Sequence, residues 1–432
     1  MNIMERKSFI ANSCILLTGM PFQSLTSGKL EESEITAELS SIINYSKKED
    51  TYKDEAFWSI IRGMFRFPTD YINLENGYFS LQPLSTLQFH QTKEHDINKR
   101  NSWFMRVEQQ EAIEKTRSTL AHFLACDAEE LAITRNTTES LNTIISGYPW
   151  KKGDEVILGN QDYGSMVSAF EQQVKRAGIV IKTAQIPLHP SNDDEVINAY
   201  ISLISTKTKI LHLTHMINLS GQIVPAKKII DAAHAKGVEV IVDAAHSIAH
   251  IDLAPGTLDA DYVGASLHKW LCNPLGAGIL MVKKKHIEKI WPLMGDDDFP
   301  DDNIRKFQHQ GTRPVQTVLS INEAIRFHEA IGSSLKEKRL RYLKNYWVDQ
   351  VKNLSHVTIN TPMLREEGSC GIANVSVKGL SPQQLASKLY DDFKIFTVAI
   401  DHPHIKGVRV TPHLYTALPD LDALGNAIKK LG

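Results

Sequence analysis

Residues 238–243 read VEVIVD, and residues 262–270 read YVGASLHKW. Each begins with a short run of β-branched and apolar residues, which predicts a buried strand, and each ends in polar residues. Similar apolar runs at 155–158, 179–181 and 210–213 alternate with stretches of helical spacing. This alternation predicts an α/β fold in which helices cover both faces of a mostly parallel sheet. Such sheets bind ligands beyond the carboxyl ends of their strands.

The rest of the chain adds a second, smaller domain to this predicted αβα sandwich of three layers. A long helical stretch, Ile321 to Asn353, leads into α+β sequence with strand patterns at 373–377 and 408–411. We therefore predict four parts in chain order: an export signal at 1–30, an N-terminal helical segment at 31–70, a large ligand-binding domain at 71–310, and a smaller C-terminal domain, including the long linking helix, at 311–432.

The amino-acid composition narrows the classes of protein to which this chain could belong. The 432 residues are 42% hydrophobic and 23% charged, which is typical of a soluble globular protein. Lys and Arg number 48 against 50 Asp and Glu, and this balance argues against a nucleic-acid-binding protein. The four cysteines are scattered without a C-x-x-C pair, so neither a disulfide framework nor a cysteine zinc site is predicted.

The N-terminus resembles a twin-arginine export signal, with Arg6-Lys7 in place of two arginines and Phe9-Ile10 at the apolar positions. Polar residues such as Asn12 and Ser13 would be costly in lipid, so we expect no stable membrane insertion. The lysine and the lack of a clear cleavage site leave two alternatives open. These are a periplasmic or exported protein and a cytoplasmic protein with an unstructured or amphipathic extension.

Asp243 and Lys269 carry the clearest chemical signal. Each follows an apolar strand, and a lysine among apolar neighbours has its ammonium form disfavoured, which Schiff-base chemistry requires. Alone, the aspartate would be an ordinary cap and the lysine a solvated side chain. Together they match two needs of pyridoxal phosphate, an imine-forming lysine and an acid for the pyridine nitrogen. The cofactor also needs a phosphate cradle and a surface on which its ring stacks.

Two loops offer those remaining features. Residues 135–139 read RNTTE between an apolar run and a helical one, and a helix N-terminus with hydroxyls binds phosphate readily. The same pattern also suits an ordinary N-cap. Tyr163 follows the strand at 155–158 and could stack on a planar ring, although a tyrosine there could equally serve packing.

With these motifs the chain resembles the class V aminotransferase family, in its isopenicillin N epimerase-like branch, over roughly residues 71–431. The most specific elements are Asp243-Ala244-Ala245-His246 and Ser266-Leu267-His268-Lys269-Trp270. The resemblance implies a fold-type I transferase with pyridoxal 5'-phosphate as cofactor. In it Lys269 would form the imine and Asp243 would pair with the ring nitrogen, as the catalytic residues. It implies further cofactor contacts from Thr137, Thr138, Tyr163, Asn218, His246, Ser266, His268 and Thr312.

The resemblance also implies how substrate and subunits are arranged. Arg409, in a GVRVTP stretch, matches the residue that binds the substrate α-carboxylate, and Asn76 joins it as a substrate contact. Gly311-Thr312 matches a loop that reaches the phosphate site of the neighbouring subunit. We therefore expect a homodimer with a shared active site and an amino acid or a derivative as substrate.

Within the family, the sequence argues against some reactions and leaves others open. Cysteine desulfurases carry a nucleophilic cysteine on the loop before the carboxylate-binding arginine, and residues 396–406 contain none. No metal site is predicted, because His246 and His250 lack the glutamate of H-E-x-x-H. Amino-group transfer is the leading reaction, with epimerisation and β-elimination (including C–S cleavage) as alternatives. A non-catalytic binding protein that keeps the fold is the alternative outside enzymes.

Overall fold

A seven-stranded sheet forms the centre of the protein in a computed structural model that describes residues 50–295 and 297–432. Its strands lie in the order β2-β8-β7-β6-β5-β3-β4. Only β8 runs antiparallel to its neighbours, β2 and β7. The strand bounds are β2 Leu131–Thr134, β3 Glu155–Gly159, β4 Val180–Ala184, β5 Thr208–Thr214, β6 Glu239–Asp243, β7 Tyr262–Ser266 and β8 Gly278–Val282.

Helices cover both faces of this sheet, and a separate hydrophobic cluster fills each face. Both clusters draw on the same strands because these strands are apolar on both sides, as buried parallel strands are. The predicted α/β class with a mostly parallel sheet is therefore confirmed. The helices of this region are Leu84–Trp103, Gln109–Phe123, Thr137–Gly147, Gly164–Ala177, Asp193–Ile201, Ala226–His234 and Lys284–Ile287.

The register of the parallel strands brings three polar residues to one edge of the sheet. Thr214 on β5 is the register partner of Asp243 on β6, and Ser266 ends the next strand, β7. Because parallel strands end at the same edge, the two chemical segments at 243 and 266–269 meet there.

The C-terminal region is built on a four-stranded antiparallel sheet in the order β12-β13-β10-β9. The strands are β9 Val357–Ile359, β10 Ala373–Val377, β12 Val398–His402 and β13 Ile405–Val410, and the helices are Val315–Leu319, Ile321–Ile331, Ser333–Val351, Pro382–Phe393 and Leu418–Lys430. The predicted single helix from Ile321 to Asn353 was wrong. Gly332 has φ 89°, a conformation that glycine adopts readily, and this residue separates two helices.

Two helical regions lie near the start of the described chain. One of them precedes β2 and consists of several consecutive helical elements. Helix Leu84–Trp103 is kinked at Asn101, which has φ 54°, and is followed by a π-helical turn at Phe104–Glu108 and helix Gln109–Phe123. Within the predicted helical segment 31–70, the structure contains a helix at Glu55–Gly63. Residues 1–49, with the predicted export signal, lie outside the described part of the chain.

A short parallel strand pair joins the segment near residue 72 to the C-terminal region. Strand β1, Ile72–Asn73, pairs in parallel with β11, Ile395–Phe396, and Glu75 bridges to Thr411. The segment therefore sits beside the C-terminal sheet although its sequence adjoins the large domain. No helix in residues 50–295 and 297–432 combines the length and the apolar character needed to span a bilayer.

Candidate active site

A cavity of about 240 Å³ opens where the strands β5, β6 and β7 end. Its walls come from the large domain, from the segment after β1 and from β13. A larger cavity of about 330 Å³ near Phe67 and Tyr71 contains none of the predicted site residues. The residues that line the first cavity are Gly77, Tyr78, Asn136, Thr137, Thr138, Tyr163, Met166, Thr214, Asn218, Asp243, Ala245, His246, Ser266, His268, Lys269 and Arg409.

Lys269 lies on the turn that follows β7 and extends its ammonium group into this cavity. Its Nζ is 3.2 Å from Nε2 of His246. Burial lowers the pKa of Lys269 to about 8, and Arg409 lowers it further, whereas Asp243 and Glu75 act in the opposite direction. Near neutral pH, a larger fraction of this lysine is therefore a neutral amine than in an exposed lysine, and the neutral amine is the nucleophilic form.

Asp243 ends β6 with its carboxylate turned into the cavity, where it is 4% exposed. The backbone N–H of Ala245 donates to its Oδ1 over 2.9 Å. Burial raises the pKa of Asp243, while the nearby His212 and Lys269 lower it. Such a carboxylate lacks solvent and benefits strongly from a cationic partner. A protonated ring nitrogen is a partner of that kind.

The N-terminus of helix Thr137–Gly147 forms the opposite wall. Asn136 caps it by accepting from the N–H of Glu139 over 2.9 Å. The hydroxyl of Ser266 accepts from the N–H of Thr137 at 2.9 Å and lies 2.7 Å from its Oγ1. Gly278 lets this helix approach the sheet, since a Cβ there would lie 2.7 Å from Cα of Asn136. The result is a helix N-terminus edged by hydroxyls, which suits a phosphate.

Two cavity residues carry buried polar atoms that have no protein partner among the described residues. These atoms are Nδ1 of His268 and Oδ1 of Asn218. A buried polar atom normally has a hydrogen-bond partner, and a polar ligand in the cavity would satisfy both. Tyr163 lies at the start of helix Gly164–Ala177 and keeps its ring 44% exposed toward the cavity. This exposed ring is available for stacking against a planar ligand.

Arg409 on β13 lines the cavity but is already paired. Its Nε and Nη2 donate to the two carboxylate oxygens of Glu75 at 3.2 and 2.5 Å. Its Nη1 donates to the backbone carbonyl of Asn218 at 3.2 Å. Both side chains of the ion pair are less than 10% exposed. Glu75 thus fixes the orientation of the guanidinium and shares its positive charge.

The arrangement joins a lysine of lowered pKa, a strand-end carboxylate, a phosphate-binding helix and an arginine. The chain also matches the family model "Aminotransferase class-V" over residues 86–402. The chain belongs to the class V aminotransferase family. This membership confirms the resemblance seen in the sequence and makes pyridoxal 5'-phosphate its cofactor.

Relatives of this family member are named for different reactions. It is 26% identical to the isopenicillin N epimerase of Amycolatopsis lactamdurans over 73% of its own length and 84% of the relative. It is 28% identical to a probable cysteine desulfurase of Halalkalibacterium halodurans over 73% of its own length and 81% of the relative. Among solved structures, C-DES with glycine covalently linked to its PLP cofactor has a TM-score of 0.77 at 19% identity, over 86% of this chain and 99% of that one. The shared fold is the fold-type I transferase.

The residues present in the cavity of this chain fit pyridoxal phosphate. Lys269 would hold the cofactor covalently, Asp243 would face its ring nitrogen, and Tyr163 its ring. The helix start at Thr137 and Thr138, with Ser266 and His268, would hold the phosphate. Bound there, the cofactor supplies an electron sink for a substrate carbanion. His246 and Asn218 line the same cavity and would be available to contact the cofactor.

Two predicted site residues lie elsewhere. Asn76 does not line the cavity, because its buried amide donates to the carbonyl of Thr411 and accepts from the hydroxyl of Tyr415, both over 2.8 Å. Here it holds the segment after β1 in place, and contact with substrate remains a prediction. Thr312 is exposed beside Gly311 and does not line the cavity of its own chain. Its role toward a neighbouring subunit also remains a prediction.

Sequence reasoning missed Glu75 and a buried pair, Asp162 and His212, beneath the cavity. Asp162 accepts from the hydroxyl of Thr214 at 2.7 Å and lies 2.9 Å from Nδ1 of His212. Burial would lower the pKa of His212, but Asp162 and Asp243 raise it above its ordinary value. The sequence signal for this pair was His212, a polar residue within the apolar run ILHL at 210–213. Within residues 50–295 and 297–432, no cluster of His, Cys, Asp and Glu is able to hold a metal ion.

We expect Glu75→Gln to tighten the binding of an amino-acid substrate. Arg409 then keeps its full charge for the substrate carboxylate, so the apparent dissociation constant should fall by about fivefold, a modest change for a buried charged pair. A titration of the cofactor absorbance with the amino acid measures it. Glu323→Gln is the matched control, because Glu323 is also buried and bidentate, on Arg326. If Glu75→Gln weakens substrate binding and Glu323→Gln does not, Glu75 does not reduce the charge that Arg409 offers to the substrate.

Proposed function

We propose that this protein is an aminotransferase that moves the amino group of an amino acid to a keto acid. The observation that carries the proposal is that Lys269 is the sole amine among the described residues lining the cavity. Transamination moves a proton between two carbon atoms on one face of the substrate, and one base is enough. Epimerisation needs, in addition, a proton donor on the opposite face, which a hydroxyl or imidazole side chain of the cavity would have to supply.

The chain's own residues support such a reaction. Arg409 would bind the α-carboxylate through the guanidinium edge that Glu75 leaves available. The neutral Nζ of Lys269 would then remove the α-proton and return it to the neighbouring carbon. Asp243 would hold a proton at the ring nitrogen, and its burial keeps water from competing for that contact.

Product analysis tests the proposal. The holoenzyme is incubated with single amino acids and a keto-acid acceptor, and the products are separated chirally. Formation of a new keto acid and a new amino acid in equal amounts is expected. The inverted amino acid alone would identify an epimerase, and a fragment released from the β-carbon would identify a lyase. Either outcome replaces the aminotransferase proposal. Absence of any spectral change with every amino acid would favour a binding protein.

The epimerase alternative has one specific support. One curated relative of this chain is named isopenicillin N epimerase. Incubation in ²H₂O separates the two reactions, since an epimerase incorporates deuterium at the α-carbon of recovered substrate without an acceptor. Persulfide chemistry is not proposed, because the β11–β13 region, 395–410, contains no cysteine.

Assembly and location are also proposals. We propose a homodimer in which the exposed Thr312 completes the phosphate site of the other subunit. Mixing inactive Lys269→Ala chains with inactive Thr312→Ala chains should restore part of the activity, and a monomer by light scattering would contradict this.

We further propose export through a twin-arginine-like signal at residues 1–30. Cell fractionation should show periplasmic protein that is lost in the Arg6→Lys, Lys7→Gln double variant. Cytoplasmic protein in both would favour the alternative.

A further inference from the structure

Trp270 directly follows the predicted imine-forming lysine, and its side chain is completely buried. Its indole Nε1–H donates to Nδ1 of His246 at 3.2 Å. On the other side of the same imidazole, Nε2 lies 3.2 Å from Nζ of Lys269. The three side chains therefore form a short hydrogen-bonded chain that ends at the nucleophile.

The chemistry of these groups fixes the direction of both hydrogen bonds. An indole nitrogen can only donate, so Nδ1 of His246 must be the acceptor and carry no proton. A neutral imidazole then carries its proton on Nε2. That proton points at Nζ of Lys269, where only a neutral amine has a lone pair to accept it.

The surroundings hold Trp270 in this orientation. The ring of His413 stacks on the indole at an angle of 13° with centroids 5.3 Å apart, and the ring of His250 lies on it at 3.6 Å. His250 is itself fixed, since its Nε2 accepts from the N–H of Gly371 at 2.8 Å and its Nδ1 is left to donate to the carbonyl of His246. The indole has no room to turn away.

The charged groups facing this chain favour a neutral His246. Burial, followed by Lys269, Arg409, His250 and His268, lowers the pKa of His246. Lys269 faces Asp243 and Glu75, which favour its ammonium form, and Arg409, which opposes it. The two carboxylates thus favour the ammonium form of Lys269. An N–H donor directed at Nζ, such as Nε2–H of His246, favours the neutral amine.

We propose that Trp270 is a positioning residue that fixes His246 as the Nε2–H tautomer, so that His246 holds the Lys269 amine neutral and oriented for attack. This inference rests on the proposed role of Lys269. In the step concerned, the Nζ lone pair attacks the aldehyde carbon of pyridoxal phosphate, a C=N bond replaces C=O, and water leaves. Its rate depends on the neutral fraction of the amine.

The rate at which the cofactor-free chain captures pyridoxal phosphate, followed by absorbance between pH 6 and 10, tests this. In wild type the rate should rise through about pH 8, the pKa of Lys269. In Trp270→Phe, Nε2 of His246 is free to accept from the ammonium group, which stabilises the charged form. The midpoint should then move up by about one pH unit, a tenfold loss of neutral amine at lower pH.

Two further variants separate this effect from a structural one. Trp347→Phe is the matched control, because Trp347 is equally buried and its Nε1 has no partner among the described residues. Its midpoint should equal that of wild type. In a His246→Gln background, Trp270→Phe should produce no additional shift, because the residue that it acts through is absent. An unchanged midpoint in Trp270→Phe, or the same shift in the His246→Gln background, overturns the inference.

A direct measurement covers the case in which Trp270→Phe fails to fold. In the cofactor-free wild-type chain, ¹⁵N shifts of His246, assigned by comparison with His246→Gln, should show a protonated Nε2 and an unprotonated Nδ1. A protonated Nδ1 overturns the inference. If the wild-type chain captures no pyridoxal phosphate, the proposed role of Lys269 is wrong. The ¹⁵N shifts then still show which tautomer of His246 is present.

Discussion

Lys269→Ala should abolish turnover and the covalent attachment of pyridoxal phosphate while leaving the fold intact. The side chain ends in the cavity and its amine is the sole one lining it among the described residues. Loss of both the covalent link and the base should lower the rate by about 10⁴-fold or more, beyond the range of a single general base. Single-turnover kinetics and a protein mass with and without reducing agent measure the two effects.

The control for this variant is another buried lysine. Burial also lowers the pKa of Lys344 to about 8, but this residue lies on helix Ser333–Val351 and donates to Ser369 at 3.0 Å. Lys344→Ala should retain cofactor attachment even if it loses stability. Turnover of Lys269→Ala within tenfold of wild type would refute the proposed role of Lys269.

Asp243→Asn should keep the cofactor but slow removal of the α-proton by at least about 100-fold, the cost of losing one preorganised electrostatic partner. The amide preserves the size of the side chain and can still accept from Ala245. It cannot keep a proton on the ring nitrogen, and an unprotonated ring is a poorer electron sink. Exchange of the α-hydrogen of the substrate for deuterium measures this step separately from product release.

Asp261→Asn is a suitable comparison for that variant. Asp261 is equally buried near the sheet, but it pairs with His234 and His286, both at 2.7 Å, away from the cavity. Its replacement should lower the melting temperature and leave proton exchange near the wild-type rate. Equal rates in Asp243→Asn and wild type would show that Asp243 does not act on the ring.

Local patterns explain why part of this site was visible in the sequence. Asp243 and Lys269 each follow an apolar strand, and parallel strands end at the same edge, so their proximity follows from the predicted topology. The start of helix Thr137–Gly147 was likewise readable from its cap residue. These features depend on neighbours within a few positions of the chain and on the class of fold.

Long-range pairings explain what was missed. Glu75 meets Arg409 across 334 positions, and the bridge from Glu75 to Thr411, beside the pairing of β1 with β11, brings them together. The direction of the bonds at His246 also depended on the tertiary position of Trp270. The break at Gly332 was missed for a different reason, because a glycine inside a helical pattern is compatible with a continuous helix at a modest cost.

The link between the segment after β1 and the last strand has a consequence for how the protein is made. Asn76 and Gly77 bond Thr411, 335 and 334 positions later. At a synthesis rate of about 5–20 residues per second, the early segment waits roughly 20–70 s on the ribosome for its partner. The strand that ends in Asp243 and the turn that carries Lys269 are synthesised well before that, whereas Arg409 and His413, whose ring stacks on Trp270, come last. A nascent chain therefore contains the cofactor-binding residues of the large domain before it contains the residues that complete the active site.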